Sequence, residues 1–189
     1  MTLAQRADED YVDQILDQWQ RERPDVDPFP MGIIARISRA AHLLEKAQGI
    51  VFSSFGLHRG GFDVLAALRR AGAPFCLSPT ALYNSLLISS GAMTHRLDGL
   101  ARSGLIERVP APNDGRSLLV KLTASGLATI DAAITAHLDA EVGLVASLSK
   151  QDQEFLQEVL RRLLLAHGDR PHAIDSLSGD SAEAAQPLT

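Results

Sequence analysis

Hydroxyl and basic side chains that can contact phosphate concentrate in the middle of this 189-residue chain. Between Leu57 and Gly126 there are eight basic and four acidic residues, so this segment has a net charge of +4. The rest of the chain has a net charge of −9, and the whole chain has −5. Because phosphate contact depends on local charge, the acidic total does not exclude a nucleic-acid partner.

The sequence contains no recognisable set of metal-ligating or catalytic residues. No phosphate-binding glycine loop, nucleophile elbow or paired-carboxylate motif occurs, so we predict neither an enzyme nor a bound cofactor. The six histidines lack the spacing of metal ligands, and no metal site is predicted; they are His42, His58, His95, His137, His167 and His172. Cys76, the single cysteine, is interpreted as a small buried apolar residue, with peroxide sensing as the less favoured alternative.

The composition favours a soluble, mainly helical protein. Hydrophobic residues make up 46% of the chain, which is enough for a substantial core. A single cysteine forms no internal disulfide, the N-terminus resembles no secretory signal, and the apolar stretches are too short to span a membrane. We therefore expect a cytoplasmic protein.

The N-terminal half has the 3.6-residue periodicity of amphipathic helices. Apolar residues at this spacing predict a helix over residues 8–22, which includes Trp19. A second, long helix is predicted from Phe29 to about Phe52, after Asp27 as its cap. A third is predicted over residues 58–71.

Two short helices joined by a tight turn are predicted next. The pair Ser78-Pro79 has the pattern of a helix start, with a capping serine before a first-turn proline. Residues 89–91 form a serine-glycine turn and provide the cap of a second helix, which ends near Ser103. This arrangement is typical of a helix-turn-helix.

A β-hairpin and two more helices complete the prediction. Apolar runs at 105–109 and 117–122 enclose a turn-rich segment, as in a hairpin. Thr123 caps a predicted helix to about Leu148, and Ser149 begins the last helix, which ends near His167. The predicted fold class is therefore mainly α with a small β-wing, a winged helix-turn-helix flanked by N- and C-terminal helices.

Geometry suggests which residues would contact DNA. The major groove admits a helix, whose exposed N-terminal residues reach base edges, while hydroxyls and helix N-termini bind phosphate. The candidates on the two helices are Ser78, Thr80, Ser89, Ser90, Ala92, Met93, Thr94 and His95. At the hairpin tip, Arg116 is expected to enter the minor groove, with Asp114 fixing the turn; a plain surface turn is the alternative.

The same segment resembles the DNA-binding lobe of MarR-type transcriptional regulators. The similar motifs are LSPT at its start, RLDGLARSGLIER in the second helix and its exit, NDGRS at the wing tip and LTASG after the wing. The resemblance extends over about residues 8–167. It implies a transcription factor, most simply a repressor, that binds double-stranded DNA at a palindromic operator.

The resemblance also implies how the chain is organised. Residues 1–27 would form an N-terminal extension helix, 28–56 and 123–168 the dimerisation helices, 57–122 the DNA-binding lobe, and 169–189 a disordered tail. The two C-terminal helices are apolar over wide faces, which favours a homodimer over the alternative of a single-chain core.

A ligand site is implied by similarity to the urate-responsive subgroup of PecS-like and HucR-like regulators. There a tryptophan on an extra helix, an aspartate before the DNA-binding lobe and two arginines on the lobe serve the ligand. The matching residues are Trp19, Asp63, Arg96 and Arg108. A flat anionic effector such as urate or a related purine would bind a guanidinium and stack on the indole.

Three alternatives stay open at this point. The effector is another phenolic or organic acid, or Trp19 is a core anchor and the charged residues are structural ion pairs without a ligand. In a different class, the chain is a helical protein-interaction module whose lobe contacts a protein rather than DNA.

Overall fold

A computed structural model of the chain describes residues 9–86, 90–111 and 114–170. Within these residues there are seven helices and one small antiparallel sheet of three strands, which confirms the predicted fold class. The chain divides into two compact units, residues 1–48 and 49–189. The predicted functional boundaries of the lobe and the dimerisation helices stay predictions.

Helix α1 (Tyr11–Glu22) begins at a capping box. The Asp10 carboxylate accepts hydrogen bonds from the backbone N–H groups of Val12 (2.7 Å) and Asp13 (3.1 Å), and the Asp13 carboxylate accepts one from the Asp10 N–H. Arg36 of α2 (Phe29–Ser54) bridges both carboxylates, at 2.8 and 2.6 Å. The three charged side chains therefore tie the start of α1 to α2.

The predicted apolar stripe of α1 is only partly buried. Val12 is buried, whereas Tyr11 and Trp19 are exposed, and the Arg39 guanidinium lies 4.7 Å from the centre of the Tyr11 ring. At the start of α2, the Asp27 carboxylate accepts a hydrogen bond from the Phe29 N–H, as the sequence predicted.

The core of the second unit forms around α3 (Arg59–Arg70), whose central residues from Val64 to Leu68 are all buried. Helices α4 (Pro79–Leu86) and α5 (Ser90–Arg102) pack against it. The rings of Phe52 and Phe62 stack at 4.3 Å between their centres. Buried Leu82, Leu97 and Leu100 belong to the same cluster, so burial of apolar area positions both short helices.

The three strands are β1 (Cys76–Leu77), β2 (Ile106–Ala111) and β3 (Asp114–Leu122), and β3 lies in the centre of the sheet. The hairpin was predicted, but β3 begins earlier than expected, so part of the predicted turn is strand. Strand β1 was not predicted, because two residues carry no detectable periodicity. It pairs Cys76 with Lys121, and Cys76 is buried.

Two helices follow the hairpin: α6 (Ala124–Leu144) and α7 (Lys150–Ala166). The Thr123 hydroxyl accepts a hydrogen bond from the Gly126 N–H, and the Ser149 hydroxyl accepts one from the Asp152 N–H, so both predicted caps are present. Helix α6 ends about one turn earlier than predicted. Of the predicted disordered tail, residues 171–189 lie outside the described residues.

Large apolar side chains remain exposed on α6 and α7 of the isolated chain. Helix α7 has no buried residue at all. The exposed set on these two helices is Leu138, Val142, Leu144, Phe155, Leu156, Leu164 and Leu165. In the part of the chain that the structure describes, no helix is both long and apolar enough to cross a membrane.

Candidate functional site

Helices α4 and α5 form the predicted helix-turn-helix. The half-buried Ser78 accepts a hydrogen bond from the Ala81 N–H at 3.0 Å, which caps α4. Leu97 and Leu100 anchor one side of α5 in the core. The hairpin β2–β3 follows α5 directly, with Arg108 opposite Val120 in its register. The elements therefore have the order and packing of a winged helix-turn-helix.

Four of the candidate DNA-contact residues are exposed near the starts of the two helices. Thr80 lies in the first turn of α4, and Ala92, Thr94 and His95 lie in the first turns of α5. Small and polar side chains at the exposed start of a helix are the kind that contact base edges and phosphates.

Met93 is a correction to the predicted contact set. Its side chain is 3% exposed and belongs to the hydrophobic core, so it cannot reach a base edge in this fold. The reason is helical periodicity, since Met93, Leu97 and Leu100 occupy positions i, i+4 and i+7 on the core side of α5. The prediction for Met93 as a base contact is wrong.

The remaining candidate contacts lie partly or wholly outside the described residues. This holds for Ser89 and for the side chains of Ser90, Asp114 and Arg116. The backbone of Asp114 and Arg116 belongs to β3.

Asp63 and Arg96 are brought together on adjacent helices. The two charges attract each other across the contact between α3 and α5. The charge of Arg59, one turn before Asp63 on α3, also attracts the Asp63 carboxylate, and more strongly than Arg96 does. Burial raises the pKa of the Asp63 carboxyl above its usual value, while Arg59 and Arg96 lower it, and burial is the largest cause.

The Arg96 guanidinium lies against the backbone of α3 at Gly60. A Cβ added at Gly60 would be 2.5 Å from both Cζ and Nε of Arg96. Two cationic side chains, Arg59 and Arg96, therefore act on one half-buried carboxylate. Sequence reasoning missed Arg59 and Gly60, although Arg59 has the i, i+4 spacing to Asp63 that signals a helical ion pair.

Arg108 does not join this group. It donates a hydrogen bond to the Asp98 carboxylate at 2.7 Å. Asp98 is two residues after Arg96 on α5, so their side chains point about 200° apart around the helix axis. Arg96 and Arg108 therefore face different carboxylates in this structure, and the predicted role of Arg108 in ligand binding stays a prediction.

A separate cavity of about 190 Å³ lies beside Arg108, between α5 and the hairpin. Its lining is mostly apolar, with Thr94 and Arg108 as the polar exceptions, and consists of Pro79, Thr94, Leu97, Arg108, Leu118 and Val120. Trp19 belongs to the first unit and is 43% exposed, so its role stays a prediction.

Known proteins share both the sequence and this architecture. The model of the MarR family matches residues 55–117. The HTH-type transcriptional regulator PecS of Dickeya dadantii is 38% identical over 152 residues, covering 80% of this chain and 92% of PecS. The chain belongs to the MarR family.

Solved MarR structures agree with this family membership. Wild-type E. coli MarR in its apo form superposes with a TM-score of 0.59 at 29% identity, covering 69% of this chain and 95% of MarR. A cysteine-to-serine mutant of E. coli MarR complexed with operator DNA superposes with a TM-score of 0.63 at 26% identity, covering 77% and 97%. These MarR-family relatives are transcriptional regulators, not enzymes.

Proposed function

We propose that this MarR-family chain is a cytoplasmic, ligand-responsive transcriptional regulator, most simply a repressor. It binds a palindromic operator as a homodimer and is released by a small anionic aromatic ligand such as urate or a related purine. The observation that carries the proposal is the winged helix-turn-helix with an exposed N-terminal face on α5.

Operator binding is supported by the surface of α5 and by the charge of the lobe. Thr94 and His95 project from a helix whose opposite side is anchored in the core. The segment from Leu57 to Gly126 has a net charge of +4. The MarR mutant that was solved with operator DNA has the same fold. In our proposal α5 enters the major groove and the hairpin, with Arg116, contacts the minor groove.

The homodimer is supported by the exposed apolar faces of α6 and α7. Phe155 is 68% exposed, and α7 has no buried residue, so little of its apolar surface is covered in the single chain. A second copy would cover these faces and place two α5 helices about one turn of DNA apart, ~34–36 Å.

Effector release is supported by the cluster of Arg59, Asp63 and Arg96. An anionic ligand would compete with Asp63 for Arg96 and repel the Asp63 carboxylate. Because Arg96 is on α5, this competition shifts the recognition helix. A coupling of ~1–3 kcal/mol between ligand and operator is typical of such a system. In our proposal Trp19 stacks on the ligand.

The Arg108 cavity supports a second candidate for the effector. A small phenolic or organic acid fits an apolar cavity of about 190 Å³ with one guanidinium and one hydroxyl on its wall. Binding there would require the ion pair between Arg108 and Asp98 to open. This candidate differs from the first in which arginine receives the anion.

DNA binding is tested with a gel shift of the DNA flanking the chain's own gene, at 50 and 200 mM salt. A shift that weakens steeply with salt is expected from phosphate contacts. We compare two variants that each remove one positive charge: Arg116→Gln at the wing and Lys121→Gln on the sheet. Only the wing variant should weaken operator binding. No shift even at low salt would favour the protein-interaction module.

The effector is tested by titrating urate into the protein–operator complex. We expect release by wild type and loss of release in Arg96→Gln, with a weaker response in Trp19→Phe. Arg108→Gln separates the two candidates, because it should leave urate release intact but abolish release by a small phenolic acid. No release of the wild-type complex at any soluble urate concentration would overturn the urate hypothesis.

A further inference from the structure

The first turn of α3 has two consecutive glycines whose surroundings differ sharply. A Cβ at Gly60 would be 2.5 Å from Cζ and Nε of Arg96 and 2.9 Å from its Nη1, far inside van der Waals contact. A Cβ at the adjacent Gly61 would have Leu100 Cδ2 at 3.4 Å as its nearest neighbour, which is ordinary contact. Only Gly60 therefore makes room for a neighbouring group by lacking a side chain.

The group that uses this room is the charged end of Arg96. Arg96 extends from α5, and its guanidinium passes close to the α3 backbone at Gly60, near the Asp63 carboxylate. Any side chain at position 60 would occupy the same space. The guanidinium can thus lie there only because the residue on the other helix has no side chain.

We propose that Gly60 is a positioning residue of the effector site, which holds the Arg96 guanidinium where an anionic effector meets it. This inference rests on the proposed function, because it takes the cluster of Arg59, Asp63 and Arg96 to be the place of the effector. Gly60 acts through Arg96 and provides no ligand contact of its own.

The structure offers a variant that moves Arg96 without breaking the fold. In Gly60→Ala the new methyl group meets only the end of a long flexible side chain, which can rotate away. Gly61→Ala is the matched control, because it makes the same chemical change one residue later in the same helix. Both substitutions raise helix propensity equally, so a difference between them reports the contact with Arg96.

The first measurement is the urate concentration that releases half of the operator. The protein concentration of each variant is set to the same multiple of its own operator dissociation constant, so that differences in operator affinity do not affect the comparison. We expect Gly60→Ala to need about tenfold more urate, as for the loss of one charge-assisted hydrogen bond. Gly61→Ala should respond like wild type. Equal responses of the two alanine variants would overturn the proposal.

A double-mutant cycle shows whether Gly60 acts through Arg96. Because Arg96→Gln itself abolishes release, the cycle is read on the pKa of the Asp63 carboxyl. In the Arg96→Gln background, Gly60→Ala should leave this pKa unchanged, because the group that it displaces is gone. A purely structural role of Gly60 would instead give the same change in both backgrounds.

The second readout needs no effector and is the pKa of Asp63, followed by carbon NMR of the carboxyl. Moving Arg96 away removes one of the causes that lower this pKa, so it should rise in Gly60→Ala and stay unchanged in Gly61→Ala. If wild type ignores urate, the effector hypothesis fails, yet this comparison still tests Gly60. An unchanged Asp63 pKa in Gly60→Ala overturns the positioning role by itself.

Discussion

Burial and positively charged neighbours shift the pKa of the Asp63 carboxyl in opposite directions. Burial is the larger effect, so the pKa of its carboxyl is raised despite Arg59 and Arg96. The folded state therefore takes up a proton at a higher pH than the unfolded chain does. It follows that the ionised carboxylate is a net cost to stability at neutral pH, and that this cost diminishes as the pH falls through the folded pKa.

Asp63→Asn tests whether the ionised Asp63 carboxylate lowers the stability of the fold. The amide is neutral at every pH, so we expect the variant to be at least as stable as wild type at pH 7.5, with a difference that narrows as the pH falls through the folded pKa of Asp63. Urea denaturation at a fixed protein concentration measures it, and Asp139→Asn on the exposed side of α6 controls for losing a negative charge. A variant clearly less stable at pH 7.5 would mean that the attraction of Arg59 and Arg96 outweighs burial.

Met93 and His95 are two residues apart on α5 and have opposite environments. Met93→Ala should destabilise the fold by about 2–4 kcal/mol, because it empties a core position. His95→Ala should change stability by less than about 0.5 kcal/mol, because the side chain is exposed, and instead weaken operator binding. Chemical denaturation and gel shifts of both variants check this. Equal stability losses would contradict the assignment of the two sides of α5.

At the scale of elements, the start of α6 lies directly against the turn before β2. A Cβ at Gly126 would collide with the carbonyl oxygen of Leu105, which is backbone and cannot rotate away. We therefore expect Gly126→Ala to cost at least about 2 kcal/mol of stability, within the range of overpacked core positions. Gly143, near the other end of α6, has no atom within 4 Å of an added Cβ, so Gly143→Ala should be neutral or stabilising by up to about 1 kcal/mol. Thermal unfolding of the two variants makes the comparison, and a tolerated Gly126→Ala would contradict this packing.

Most element boundaries were predictable because local hydrogen bonds set them. The caps at Asp27, Ser78, Thr123 and Ser149 each depend on a side chain and a backbone N–H two or three residues later, which the sequence displays directly. Strand β1 was not predictable, because its two residues are defined only by pairing with β3, more than 40 residues away.

The candidate site was predictable only in part, for the same reason. Asp63 and Arg96 are 33 positions apart, and the residues alone do not reveal that α3 and α5 bring them together. The family resemblance supplied that pair and also grouped Arg108 with them, whereas the structure pairs Arg108 with Asp98. The space at Gly60 is a property of two helices in contact and has no signal in the sequence.

At the scale of the whole molecule, the exposed apolar faces of α6 and α7 set the assembly that we propose. Phe155 and Leu164 are 68% and 52% exposed in the single chain. Covering such side chains is worth about 1.5–3 kcal/mol each when they become fully buried, so a few of them can hold a stable pair of chains. Two lobes are also needed for the proposed operator affinity, because one half-site provides only half of the base and phosphate contacts.

Phe155→Arg tests assembly and function together. A charge in the proposed interface should convert the dimer into a monomer in light scattering after size-exclusion chromatography, and weaken operator binding by at least tenfold. Gln157→Arg is the matched control, since it adds the same charge two residues later on another side of exposed α7. If Phe155→Arg stays dimeric, α7 is not the interface. The variant could also become monomeric and still bind the operator with wild-type affinity and salt dependence. Each lobe would then bind DNA independently, and the proposed dependence of operator binding on dimerisation would be wrong.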